Sequence, residues 1–118
     1  MDASGTMRLM FDTMDAYDRA DFERLAEVYD LNAPWIGTEP GDWDCKNRDD
    51  IFARFREGID AGIHVHFDEM RSTPTHVILA THVEDSGPLV SVFTFEGRRI
   101  VHVQDYDTME AAEAATRS

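Results

Sequence analysis

One cysteine, Cys45, in 118 residues leaves no partner for an intrachain disulfide, so the main signature of an oxidising compartment is missing. Positive charge is scarce as well: 11 Lys and Arg stand against 24 Asp and Glu, a formal net charge of −13. That balance opposes phosphate backbones and anionic lipid surfaces, so neither nucleic acid nor membrane is an expected partner. The basic residues are scattered, the densest pairs being Arg54/Arg56 and Arg98/Arg99. Apolar runs such as Val77-Ile78-Leu79-Ala80 fall far short of the ~20 residues a membrane span requires. Residues 1–6 lack the basic-then-apolar layout of a secretion signal, and cytoplasm is the expected location. There is no Gly-rich phosphate loop, Ser-His-Asp order or paired metal-ligand spacing. No cofactor is therefore expected, and any reaction would be one that side chains run alone: isomerisation, cyclisation, dehydration or hydration.

What is present suits one globular domain over residues 1–118, with residues 1–6 and 114–118 as loose ends. Hydrophobic residues make up 42% and charged residues 30%, an ordinary globular balance. Met7, Met10, Met14 and Tyr17 recur at the spacing of an amphipathic helix. Asp21 is placed to cap a second helix with Phe22, Leu25 and Val28 or Tyr29 on its buried face. Asn32-Ala33-Pro34 ends that helix, and a loop from Trp35 to Cys45 follows. Asn47 reads as the cap of a third helix, with Asp49 and Asp50 facing its positive end and Gly58 or Gly62 closing it. Beyond Gly62 the period falls to 2, giving strands over Ile63–Met70, His76–Glu84, Leu89–Phe95 and Arg99–Tyr106. Asp107 and Glu110 have capping-box spacing ahead of an alanine-rich last helix. Helices first and an antiparallel meander second predict an α+β fold with helices packed on one sheet face.

Alternation sorts the strand residues into faces. The apolar sets Ile63/Val65/Phe67, Val77/Leu79/Thr81/Val83, Leu89/Ser91/Phe93/Phe95 and Val101/Val103 are expected to point inward. All five histidines (His64, His66, His76, His82, His102) then point outward. Asp105 breaks the pattern, sharing the phase of Val101 and Val103. A carboxylate carried inward is costly unless paired, and its pKa tends to rise, which is how a general acid or base is made. The competing reading is a hydrated acid at the strand end. Asp107 has the same phase, but capping explains it.

Several stretches resemble the nuclear-transport-factor-2-like superfamily, in particular its SnoaL-like, polyketide-cyclase-like branch. They are Ala16-Tyr17-Asp18-Arg19-Ala20-Asp21-Phe22, Trp35, Cys45-Lys46-Asn47-Arg48-Asp49-Asp50-Ile51, Phe93-Thr94-Phe95-Glu96-Gly97-Arg98-Arg99-Ile100 and Gln104-Asp105-Tyr106. The resemblance implies a cystatin-like cone, a curved antiparallel sheet wrapped around N-terminal helices, often dimeric through the outer sheet face. The superfamily includes ketosteroid isomerases, epoxide-hydrolase-like enzymes, cyclases, dehydratases and proteins with no chemistry, so fold alone does not choose a function. The isomerase residues are not carried over: their oxyanion tyrosine, base aspartate and second acid fall at Thr13, Gly37 and Ser91, and only the supporting tyrosine is kept, as Tyr29. The Arg-x-Asp pair of the epoxide hydrolases falls at Thr81 and Val83, though their final Asp-Tyr matches Asp105-Tyr106. The aspartate of SnoaL-type cyclases maps to Asp105 or Asp107.

Other constellations weigh less. His64-Val65-His66 with Glu69 is one residue short of the cupin metal spacing, and Glu69 is out of phase with both histidines, so no metal is expected. Cys45 precedes a helix N-terminus, a position that lowers a thiol pKa, but no base adjoins it in sequence and it reads as structural. Trp35 and Trp43 lie in the loop over the pocket mouth, where they either grip a ligand or serve as core and lid.

The expected function is a homodimeric protein binding a small apolar organic molecule. From the helices and the loop, its pocket takes Met14, Tyr17, Tyr29, Trp35 and Phe55. From the strands it takes Phe67, Leu79, Thr81, Ser91, Phe93 and Val103, with Asp105 as the proton-moving group and Tyr29, Ser91 or Thr81 donating to a substrate oxygen. The alternative is a non-catalytic interaction module whose interior is filled and whose histidine-bearing outer face meets a protein partner.

Overall fold

The computed structural model describes residues 2–38, 44–84 and 87–117. Trp43 and the turn residues Asp85 and Ser86 therefore lie outside the described residues. Three helices precede the main strands: α1 (Ala3–Asp18), α2 (Phe22–Val28) and α3 (Arg48–Asp60). Their ends carry the expected chemistry. Asp21 accepts from the Arg24 amide at 3.1 Å and Asn47 from the Asp50 amide at 3.0 Å. At the far end of α3, Gly62 takes φ +72°, the Gly62 amide donates to Ile59 and the Ile63 amide donates to Gly58, each at 3.0 Å. That pair of bonds is a Schellman closure, and Gly62 is the residue that permits it.

Residues 2–6 are not loose. Asp2 caps α1 through the Gly5 amide at 2.8 Å, and the buried Thr6 hydroxyl donates to the Thr73 carbonyl at 2.6 Å, tying the first turn to the sheet. The buried face of α1 is centred on Thr6, Leu9, Met10, Thr13 and Ala16. The Met7–Tyr17 stripe thus flanks that face and only Met10 of it is fully buried.

The sheet has five strands in the order β1-β5-β4-β3-β2: β1 (Trp35–Ile36), β2 (Val65–Ser72), β3 (His76–Val83), β4 (Pro88–Glu96) and β5 (Arg99–Tyr106). The meander β2–β5 is antiparallel as expected, whereas β1 adds a parallel edge through Trp35↔Val103 and Ile36↔Gln104. Two residues are too few to show a period, so the loop reading hid this strand. Gly97, at φ +59°, opens the two-residue turn between β4 and β5, the position where a hairpin of this length needs glycine.

Two bulges change the phase that alternation predicts. In β5, Phe95 pairs with Ile100 but Thr94 pairs with His102, which leaves Val101 as the extra residue. Ile100, fully buried, takes the inward place expected of Val101, while Val103 and Asp105 keep theirs. In β2, Phe67 pairs with Thr81 and Glu69 with Ala80, so Asp68 is extra and Met70 turns inward. The same bulge puts Glu69 on the histidine face, where it binds Arg71 at 3.0 Å.

The main core lies between the helices and the inner sheet face, with Leu9, Met10, Leu25, Val28, Ile51, Val77, Phe93, Ile100 and Val103 at its centre. A second, smaller core lies on the outer face, a departure from the one-sided packing expected. There Ile78, Ala80, Val90 and Val92 are buried against Ala112 and Met109 of α4 (Met109–Arg117) and against Tyr106. Residues 114–117 are accordingly part of a helix rather than a loose end, and Glu113 of α4 ion-pairs with Arg71 of β2. The cap is Thr108, whose hydroxyl accepts from the Ala111 amide at 3.1 Å, in place of the Asp107 box. Truncation after Asp107 should therefore expose four apolar side chains and drive self-association. Gel filtration should show larger species; an unchanged elution volume would mean that α4 is not what covers this face. Among the described residues no helix is long and apolar enough to cross a membrane.

Candidate functional site

Asp105 sits where β1 and β5 meet. It pairs with Ser91 across β4, and Ser91 pairs with Leu79 across β3, so one inward row runs from the acid through a hydroxyl to an apolar side chain. Because β1 runs parallel to β5 in the Trp35↔Val103 register, the indole of Trp35 reaches the next inward residue. Trp35 Nε1 donates to Asp105 Oδ1 at 2.9 Å and the Ser91 hydroxyl donates to the same oxygen at 2.7 Å. Both hydrogen bonds that the carboxyl group receives from described residues fall on Oδ1. Burial pushes the Asp105 pKa up, the two hydrogen bonds oppose that rise, and the nearby charge of Asp44 adds to it.

Aromatic rings wall this corner. Trp35 meets Phe93 and Phe55 edge-on at 5.5 and 6.0 Å, and Phe55 meets Tyr17 at 4.9 Å. Tyr29, buried and with its hydroxyl pKa raised by desolvation, is enclosed by Phe52 and Phe55. Tyr17, Tyr29, Trp35, Phe52, Phe55 and Phe93 thus form one connected ring cluster on the inner face.

The opposite end of the inner face is open. Leu89 follows Ser91 on the same face of β4, pairs with Thr81, and Thr81 pairs with Phe67. Phe67 is 45% exposed, and the Phe11 ring of α1, 46% exposed, lies 5.9 Å from it. With Val65 and Leu89 these rings form an exposed apolar strip that begins one inward position from Ser91. A shallow depression lined by Gly62, Ile63, His64, Val83 and Glu84 lies beyond it at the end of β2 and β3 and includes none of the hydrogen-bonded residues.

The structure therefore gathers Asp105, Ser91, Trp35, Phe93, Phe55 and Tyr17 into one corner, with Leu79 beside Ser91. Met14 packs against the main core, Val103 and Tyr29 are buried within it, and Phe67 and Thr81 belong to the strip. Two roles change. Ser91 spends its proton on Asp105 and holds the acid rather than a substrate oxygen. Tyr29 is buried against the rings of Phe52 and Phe55. Of the two aspartates that the resemblance allowed, Asp107 is exposed and Asp105 is half-buried in this corner.

Sequence reasoning missed the indole–carboxylate bond, because nothing in a two-residue strand signals its register. It also missed Asp44, which accepts from the Gly37 amide at 2.9 Å. Cys45 is buried, and burial raises its thiol pKa in spite of a hydrogen bond with Arg54, so the lowering expected from the helix end does not prevail.

The histidines do lie on the outer face. His66 pairs with His82 in stacked contact at 4.8 Å, His64 meets His66 at 4.5 Å, and His82 Nδ1 is 2.8 Å from Asp68. Among the described residues no three His, Cys, Asp or Glu groups are arranged to hold a metal ion.

No family model matches the sequence, and no curated protein matches it significantly. Solved structures do. Bal32a, from a soil-derived mobile gene cassette, superposes with a TM-score of 0.71 at 23% identity, covering 88% of this chain and 89% of its own. An NTF2-like protein of Burkholderia xenovorans LB400 gives 0.69 at 17% identity over 98% of both chains. A SnoaL-like protein of unknown function from Burkholderia thailandensis E264 gives 0.66 at 15% identity over 83% and 92%. The fold is that of the NTF2-like and SnoaL-like proteins: four helices and a curved, mixed five-stranded sheet.

Proposed function

We propose that this protein binds a small apolar organic molecule against the inner sheet face and moves a proton on it with Asp105. The observation that carries the reading is the acid itself. Its Oδ1 is fixed by two donors, and Ser91, its partner across β4, lies one inward position from an exposed apolar strip. An apolar body laid on Leu89, Thr81 and Phe67 would bring a polar group to Oδ2. The raised pKa keeps a proton on the acid to higher pH than usual, which suits donation; once ionised, the same group is a stronger base than an exposed aspartate. Trp35 and Ser91 act as positioning residues. They hold the carboxyl plane and touch no reacting atom.

The second reading, an interaction module with a filled interior, is favoured by the ring packing behind Asp105. A thermal-shift screen of hydrophobic small molecules separates the two. A ligand bound only by the folded state at 100 times its Kd adds about 2.7 kcal/mol of stability. Hits whose NMR shift changes centre on Ser91, Leu89 and the Trp35 indole would support the ligand site. No hit, with those signals unmoved throughout, would leave the interaction module.

A further inference from the structure

We propose that His66 and His82 form a two-histidine chelate for a transition-metal dication, of the zinc, nickel or copper kind, on the outer sheet face. The site lies on the opposite side of the sheet from the Asp105 corner and does not depend on the ligand reading above.

The sheet register makes the pair. His66 of β2 stands directly opposite His82 of β3. Residues paired in this way hold their Cβ atoms about 4.5–5.5 Å apart, within reach of one ion. The two imidazoles stack with centroids 4.8 Å apart and planes 16° from parallel. An ion bound about 2.0–2.1 Å from each nitrogen needs those nitrogens roughly 3 Å apart, which a modest turn about each Cβ–Cγ bond supplies. Both side chains are open to solvent, at 35% and 41% exposure, so water can complete the coordination.

The carboxylates around the pair are placed to support a bound cation. Asp68, the extra residue of the β2 bulge, holds its two oxygens 2.9 and 2.8 Å from His82 Nδ1. An Nδ1–H donated to that carboxylate leaves the lone pair on Nε2 and makes it the stronger ligand atom. Glu84 lies 3.7 Å from His66 Nε2 and adds negative potential beside the rings. His64 meets His66 edge-on at 4.5 Å without joining the other two around a common point, so the chelate has two protein ligands. Imidazole suits zinc, nickel and copper, whereas magnesium prefers oxygen. A bound ion would pin edge strand β2 to β3 beside the bulge, where the ladder between them is interrupted.

Untagged protein, stripped with a chelator and titrated calorimetrically with zinc chloride at neutral pH, should bind one ion per chain. Zinc at about 1 mM should raise the melting temperature, because it binds the folded pair only, and magnesium at the same concentration should not. His66→Ala and His82→Ala should each weaken zinc binding roughly tenfold or more, and Asp68→Asn by about tenfold through the lost support of His82. His102→Ala, elsewhere on the same face, should leave it unchanged. In the wild type, a substoichiometric amount of copper(II) should broaden the NMR signals of His66, His82 and their neighbours first, a readout that needs no variant to fold. Zinc binding that survives both alanine substitutions, magnesium acting as zinc does, copper broadening centred elsewhere, or no binding at about 1 mM zinc would each overturn the site. None of those results would touch the role of Asp105.

Discussion

Asp105→Asn is expected to lower the rate on any substrate the protein turns over by roughly 10²–10⁴-fold, the range that one positioned acid or base contributes. The same substitution is expected to raise the melting temperature at pH 7. The two effects have one cause. Asparagine keeps an oxygen that can accept from Trp35 and Ser91, so the geometry survives, but it carries neither a transferable proton nor a charge. In the wild type the folded-state pKa is raised, mainly by burial, from the ordinary 3.8. The protonated acid therefore supports the fold fully below about 3.8, and that support is lost as the pH rises through the folded value. Above it, an ionised carboxylate is held where water is scarce and Asp44 repels it. The gain in melting temperature should accordingly be absent below about pH 3.8, grow as the pH rises, and level off once Asp105 is ionised. Stability lost at a functional position is a common trade. A variant that keeps full activity, or that melts lower than wild type at pH 7, would remove Asp105 from the role assigned to it.

How far the sequence reveals this site depends on what kind of information each part carries. The helix caps at Asp21 and Asn47 and the closure at Gly62 are local, and they were legible because one residue type and one short spacing suffice. The inward phase of Leu79, Ser91, Phe93, Val103 and Asp105 was legible because alternation survives wherever a strand is regular. It misled at Val101 and beyond Phe67, where one extra residue in the strand resets the parity. The outer layer was misjudged for another reason. Ile78, Ala80, Val90 and Val92 are as apolar as their inward neighbours, so β3 and β4 read as one-sided strands only if the last helix is not placed on their outer face. The indole–carboxylate bond was out of reach, since Trp35 and Asp105 stand 70 residues apart and are joined by a strand of two residues.

Phe93→Ala puts the largest strain on the fold and bears on where a ligand can sit. Phe93 is 2% exposed on the middle strand, pairs with Val77 on one side and Val103 on the other, and its ring meets Trp35 at 5.5 Å. Removing such a ring costs about 3–5 kcal/mol, from lost burial together with the cavity left behind. For a domain of this length the melting temperature should fall by roughly 10–20 °C. The vacated space is lined by apolar groups and should stay dry, so a small aromatic such as benzene or indole should recover part of the lost stability. The wild type, in which the Phe93 ring occupies that volume, should gain nothing from benzene there. A cost below about 1 kcal/mol would mean that the aromatic interior is loosely packed in the native protein. The binding volume would then extend behind Asp105, and the acid would meet its substrate from the core side instead of from the exposed strip.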